Sequence, residues 1–146
     1  MSAHILIVEA RFYEDIAEEL AAGAVAVIES RGATYERIAV PGSLEVPQAI
    51  SIALGRGGFD GVVALGCVIR GQTAHFDIVA TESARALMQL ALAHEIPLGN
   101  GILTVDTREQ ALARARISGR DRGGHAARAC LDVLDIKRRH GGRGHG

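Results

Sequence analysis

Tryptophan is missing from this chain of 146 residues, and two tyrosines and three phenylalanines are its only large rings. A core built here must be aliphatic, and hydrophobic residues at 48% are numerous enough to fill one. No apolar run reaches the roughly 18 residues that a membrane-spanning helix needs, so no membrane partner is expected. The opening MSAHILIVEARF lacks a basic stretch followed by a long apolar one, so no export signal is expected and the compartment is read as cytoplasmic. The two cysteines, Cys67 and Cys130, lie in apolar segments without metal-ligand or redox spacing, and they read as buried free thiols in a reducing compartment. A basic excess is also lacking. Sixteen Lys and Arg stand against seventeen Asp and Glu, for a net charge of −1, which argues against a dedicated nucleic-acid surface. A Walker loop, a G-x-G-x-x-G fingerprint, a zinc pattern and a Ser-centred elbow are all absent. Their absence argues against a nucleotide-hydrolysing, nicotinamide or metal enzyme.

What is present is a regular alternation of strand and helix patterns in a chain of one-domain length. HILIV, residues 4 to 8, is a short continuous apolar run of the kind that forms a strand buried on both faces. From Tyr13 to Arg31, Ile16, Leu20, Ala24, Val27 and Ile28 recur at helical spacing, and Gly32 closes that helix. TYERIAV, 34 to 40, reads as a second strand. Pro47 is tolerated only in a first helical turn, so the next helix is expected to start there and to end at the glycines 57 and 58. GVVALGCVI, 61 to 69, is a third strand, residues 73 to 95 a third helix, and PLGNGILTV, 97 to 105, a fourth strand. A last helical portion spans about 107 to 139, with a break near SGRDRGG. This order predicts an α/β fold, a parallel sheet with helices on both faces. Residues 1 to 138 are expected to form the domain, and the basic, glycine-rich 139 to 146 a solvated, flexible tail.

The chemistry gathers at strand-to-helix junctions. In GCVIRGQTAHFDIVATES, residues 66 to 83, Gly71 permits close approach of backbone to a ligand and Thr73 offers a hydroxyl at the helix start. The positive end of that helix suits a phosphate or another anion. His75, at the same end, has the one side chain whose ordinary pKa lets it exchange protons near neutrality. The loop PGSLEVP lies at the same carboxyl edge of the sheet, where Glu45 can accept hydrogen bonds and the N–H groups of 43 to 45 can meet carbonyls. Phe12 follows the first strand at that edge and can face a ligand ring. Taken alone, each feature also fits an ordinary structural role: a surface histidine, a helix-entry loop, a core phenylalanine. Arg114, among further arginines in TREQALARARISGR, likewise fits a solvated helix face.

The segments ARFYEDI, VPGSLEVPQAI, GCVIRGQTAHFDIVATES and GNGILTVDTREQALARA, in this order, resemble the lumazine synthase family of riboflavin biosynthesis. The resemblance runs from about residue 4 to 138. It implies a flavodoxin-like three-layer sandwich around a four-stranded parallel sheet, and a transferase that needs no cofactor and no metal. It further implies condensation of 5-amino-6-ribitylaminouracil with 3,4-dihydroxy-2-butanone 4-phosphate. The products are 6,7-dimethyl-8-ribityllumazine, phosphate and water. A homopentamer is implied, in some members packed further into an icosahedral shell, with each active site between neighbouring subunits. Association with riboflavin synthase is a further partner that the resemblance admits.

By the same resemblance, Phe12 stacks on the pyrimidine, while Ser43, Leu44, Glu45 and the backbone of Cys67, Val68 and Ile69 meet the pyrimidine and its ribityl chain. Gln72 and Thr73 bind the phosphate. Arg114 and Asn100 come from the adjacent subunit, the first to the phosphate and the second over the ring. His75 donates and accepts protons. Several positions depart from the family pattern. Ser43 and Leu44 stand where alanine and an aromatic are common, and Asn100 where phenylalanine is. Arg122-Gly123 replaces a lysine-glycine pair, and His125 replaces an acidic residue. A binding protein that sequesters flavin or lumazine, and a shell-forming scaffold, are the two other readings these residues admit.

Overall fold

A computed structural model describes residues 2 to 141. The elements run β1 His4–Ala10, α1 Glu14–Ser30, β2 Thr34–Val40, α2 Glu45–Arg56, β3 Gly61–Ile69, α3 His75–His94, β4 Leu98–Val105, α4 Arg108–Ala115 and α5 Arg122–Ile136. A wide helical turn, Lys137–Gly141, continues α5. The expected tail therefore begins inside a helical turn, and its residues from 142 on lie outside the described part of the chain. No helix among the described residues is long and apolar enough to cross a membrane.

The four strands form one parallel sheet in the order β2-β1-β3-β4. Alternation along β1 assigns its side chains to two cores. Ile5 and Ile7 pack with α1, α4 and α5 on one face, while Leu6 and Val8 pack with α2 on the other. A third, smaller cluster of Val68, Phe76 and Val79 sits where β3 meets α3. The cores are almost wholly aliphatic, as the shortage of rings requires. Two helical layers around a parallel sheet make the three-layer α/β architecture that was expected.

β2 and β3 occupy the segments assigned from the sequence. The helix expected to begin at Pro47 begins two residues earlier, at Glu45. The first turn of a helix has no intrahelical acceptors for its N–H groups, so proline fits anywhere within it. α3 begins at His75 rather than Thr73, and β4 at Leu98 rather than Pro97, which has no N–H to give a ladder. The break in the last helical portion falls at residues 116 to 121. Asp121 caps α5 there by accepting a hydrogen bond from Gly124 N–H at 3.2 Å.

The order places β1 between β2 and β3. Chain direction across the sheet reverses at the β1/β3 neighbours, and the connections leaving their carboxyl ends diverge to opposite faces. Open parallel sheets hold ligands in the crevice at such a point.

Candidate active site

A cleft of about 420 Å³ opens at this crevice, walled by three strand-to-helix connections. Phe12 and Tyr13 come from the link after β1, Gly42 to Glu45 from the link after β2, and Cys67 to Ile69 from the end of β3. His75 and Val79, one turn apart on α3, close the remaining side.

Phe12 has 73% of its surface exposed, and its ring meets Tyr13 edge-on with centroids 4.9 Å apart. An aromatic this uncovered contributes nothing to the core and offers a free face to a planar ligand. Ser43, by contrast, is largely buried, though it still lines the cleft. Glu45 folds back on its own loop: Oε1 accepts from Gly42 N–H at 2.9 Å, and Glu45 N–H donates to Gly42 C=O at 3.1 Å. The expectation that the N–H of residue 45 serves a ligand carbonyl is therefore corrected, because the loop's own turn uses it. The carboxylate keeps a second oxygen for a ligand donor. Burial pushes the Cys67 thiol up to about 11, against the opposing charge of Arg108, so it enters the cleft wall as a neutral group.

Gly71, Gln72 and Thr73 form an exposed bend at the amino end of α3, whose twenty residues align their peptide dipoles toward it. Arg70, just before the bend, is fixed from three sides. Its guanidinium lies over the Phe76 ring at 4.3 Å, its Nε is 3.0 Å from Asp106 Oδ1, and its Nη1 is 3.8 Å from Asp77 Oδ1. The bend is thus tied to the start of the β4–α4 connection and to the first turn of α3.

One chain brings together Phe12, Ser43, Leu44, Glu45, Cys67, Val68, Ile69 and His75, with Gln72 and Thr73 on the adjoining bend. It does not bring Asn100 or Arg114 to them. Asn100 is exposed on the edge strand β4, and its Oδ1 accepts from Ile102 N–H at 2.9 Å. It borders two other hollows. One, of about 290 Å³, also has Arg122 and His125 on its wall; the other, of about 370 Å³, lies against α3. Arg114 is half-buried on α4 and donates from Nη1 to Gln110 C=O at 3.3 Å. Asn100, Arg122 and His125 thus share one lateral face of the chain.

Sequence reasoning missed Tyr13, Gly42 and Val79 as cleft residues, and it missed a buried charge beneath them. Glu9, the penultimate residue of β1, is only 2% exposed. The signal was legible: a glutamate in the otherwise apolar run HILIVEA needs cationic partners if that run is buried.

A family model described as 6,7-dimethyl-8-ribityllumazine synthase matches residues 2–138. Among similar curated proteins, the 6,7-dimethyl-8-ribityllumazine synthase of Methylobacterium radiotolerans is 60% identical over 136 residues, covering 93% of this chain and 83% of its own. The enzyme of the same name from Agrobacterium fabrum is 56% identical over 144 residues, covering 95% of this chain and 97% of its own. A Rhizobium meliloti protein named 6,7-dimethyl-8-ribityllumazine synthase 1 is 57% identical over 143 residues, covering 94% of each.

Proposed function

The chain belongs to the 6,7-dimethyl-8-ribityllumazine synthase family, and from that premise we propose how its cleft carries out the family's reaction. The protein is a transferase of riboflavin biosynthesis. It condenses 5-amino-6-ribitylaminouracil with 3,4-dihydroxy-2-butanone 4-phosphate, releasing phosphate and water and leaving 6,7-dimethyl-8-ribityllumazine. The observation that carries the assignment of roles is the sharing of one cleft by Phe12, Glu45 and His75 beside the amino end of α3.

The pyrimidine lies against the open face of Phe12, with its ribityl chain along Ser43, Leu44 and Glu45 and its polar edge on the backbone of Cys67, Val68 and Ile69. The phosphate of the second substrate sits on the bend at Gln72 and Thr73, where the helix end favours negative charge. The amine of the pyrimidine attacks the ketone to give an imine with loss of water, a step that needs a proton delivered to the departing oxygen. His75 supplies and recovers that proton. Phosphate departs next, and the helix terminus stabilises the charge that develops on it. Loss of phosphate leaves an enol that becomes a second carbonyl. The ribityl-bearing nitrogen adds to it, and departure of a second water completes the ring of the lumazine. Both reagents are intrinsically reactive, so holding them face to face supplies much of the acceleration.

Arg114 and Asn100 lie away from the cleft of their own chain, which supports their service to a neighbour's cleft in a homopentamer. Exposed apolar side chains favour such an assembly: Ile78, Met88 and Leu92 on α3 and Val133 and Ile136 on α5 lie uncovered in the single chain. The Arg114 guanidinium neutralises the substrate phosphate across that boundary, and Asn100 closes over the ring. The cytoplasm is the compartment that fits this small-molecule chemistry.

Incubating the protein with both substrates and following the fluorescence of the lumazine product tests the assignment. Product formation well above the rate in buffer is expected. A rate equal to that in buffer would leave a binding or scaffold protein instead.

A further inference from the structure

Glu9 is the one charged side chain among the described residues that is buried, and its surroundings are more elaborate than its solvation requires. It belongs to the α1 face of the sheet, beneath the first turns of that helix. Arg37 of β2 holds it with two N–H groups, Nε to Oε2 and Nη2 to Oε1, the latter at 3.0 Å. That forked pair already compensates the buried carboxylate. Arg11 adds a third contact, Nη1 to the same Oε1 at 2.7 Å. The Arg11 guanidinium then continues to α1, reaching Glu18 at 3.0 Å and Glu14 at 3.1 Å, while its backbone N–H donates to Val40 C=O at 2.9 Å. Arg11 is thereby anchored to β1, β2 and α1 at once.

The next residue is Phe12, and nothing comparable anchors its side chain. The ring is 73% exposed and meets only the edge of Tyr13 among the rings. Where such a ring sits is decided by the main chain that carries it, and that main chain is fixed through Arg11.

We infer that Glu9 is a positioning residue for the pyrimidine site: by gripping Arg11 from below, it holds the turn that presents Phe12 to the cleft. This rests on the reading that Phe12 stacks on the pyrimidine. Arg37 neutralises Glu9, and Arg11 transmits its position. The two arginines therefore differ in consequence although they share a carboxylate oxygen.

Steady-state kinetics on the assembled, full-length enzyme separates these roles. Arg11→Gln raises KM for the pyrimidine substrate about tenfold, with kcat and KM for the butanone phosphate little changed. Glu9→Gln does the same and also lowers Tm. Arg37→Gln lowers Tm yet leaves the pyrimidine KM at the wild-type value, because the Glu9–Arg11 contact survives. In a Phe12→Ala background, which itself raises that KM, Arg11→Gln adds no further increase. A purely structural role predicts equal KM effects for Arg11→Gln and Arg37→Gln, and that outcome overturns the inference. So does an unchanged KM in Arg11→Gln when Phe12→Ala has raised it. A Phe12→Ala enzyme with an unchanged pyrimidine KM overturns the stacking reading itself, and the inference with it.

Discussion

The hydroxyl oxygen of Thr73 accepts a hydrogen bond from the backbone N–H of His75 at 3.3 Å. The contact occupies one of the amides that the start of α3 leaves without a helical partner, and it sets the turn from which the imidazole projects. A hydroxyl that accepts in this way still has its own proton to give. In the proposed function, phosphate recognition and proton transfer are joined through this one side chain on the bend.

Replacing Thr73 by valine removes that donor while keeping the shape. KM for the butanone phosphate is expected to rise about tenfold, equivalent to one lost hydrogen bond to a charged group. KM for the pyrimidine should stay as it was. Initial rates measured with each substrate varied in turn check this, and an equal change in both constants contradicts the assignment.

His75→Ala is expected to slow turnover about a hundredfold, the lower range for a lost acid–base group, and not to abolish it. Substrate positioning by the rest of the cleft persists in the variant. Activity no greater than in buffer alone, in a variant with wild-type assembly and circular dichroism, contradicts this division of labour.

The parallel sheet and its element order were legible because apolar runs and helical spacings are local signals, and β2 and β3 carry them without interruption. Pro47 misled because a whole first turn, not one position, tolerates proline. The support beneath Phe12 was not legible in full. Glu9 stands out in its apolar strand, but its pairing with Arg37 depends on the β1–β2 register, in which Ile7 lies opposite Arg37 and Glu9 opposite Ala39. Such a diagonal pairing across 28 residues has no trace in local sequence. Arg114 offered only a basic helix face to local reading, since the phosphate proposed for it sits on another chain.

Gly99 of β4 permits close contact with α5. A Cβ there would stand 1.8 Å from the carbonyl oxygen of Ala126, which as backbone cannot swing aside. Gly99→Ala is expected to cost about 3 kcal/mol, the upper range for overpacking, and to lower Tm by about 10 °C. Gly55→Ala on α2, where a Cβ meets nothing within 4 Å, is the control and should hold or raise Tm. Thermal unfolding of both variants checks the pair.

Burial raises two thiols above the ordinary 9.0: Cys67 to about 11 and Cys130 to about 12. The folded chain holds these protons more tightly than the unfolded chain, so their contribution to stability is complete below about pH 9. It is lost as pH rises from there toward 11 and 12. Urea midpoints should fall over that window, and a Cys67→Ala, Cys130→Ala protein should fall less steeply. Equal slopes in the two proteins contradict the assignment.

The most direct test of a cleft built from two chains mixes two impaired enzymes. His75→Ala and Arg114→Ala proteins are unfolded together, refolded into hybrid oligomers and assayed for lumazine formation. If Arg114 reaches a neighbour's cleft, some hybrid boundaries join an intact His75 to an intact Arg114, and activity rises above that of either parent. If both residues serve the cleft of their own chain, every site keeps one lesion. Activity at the parental level in hybrids verified by mass contradicts the account.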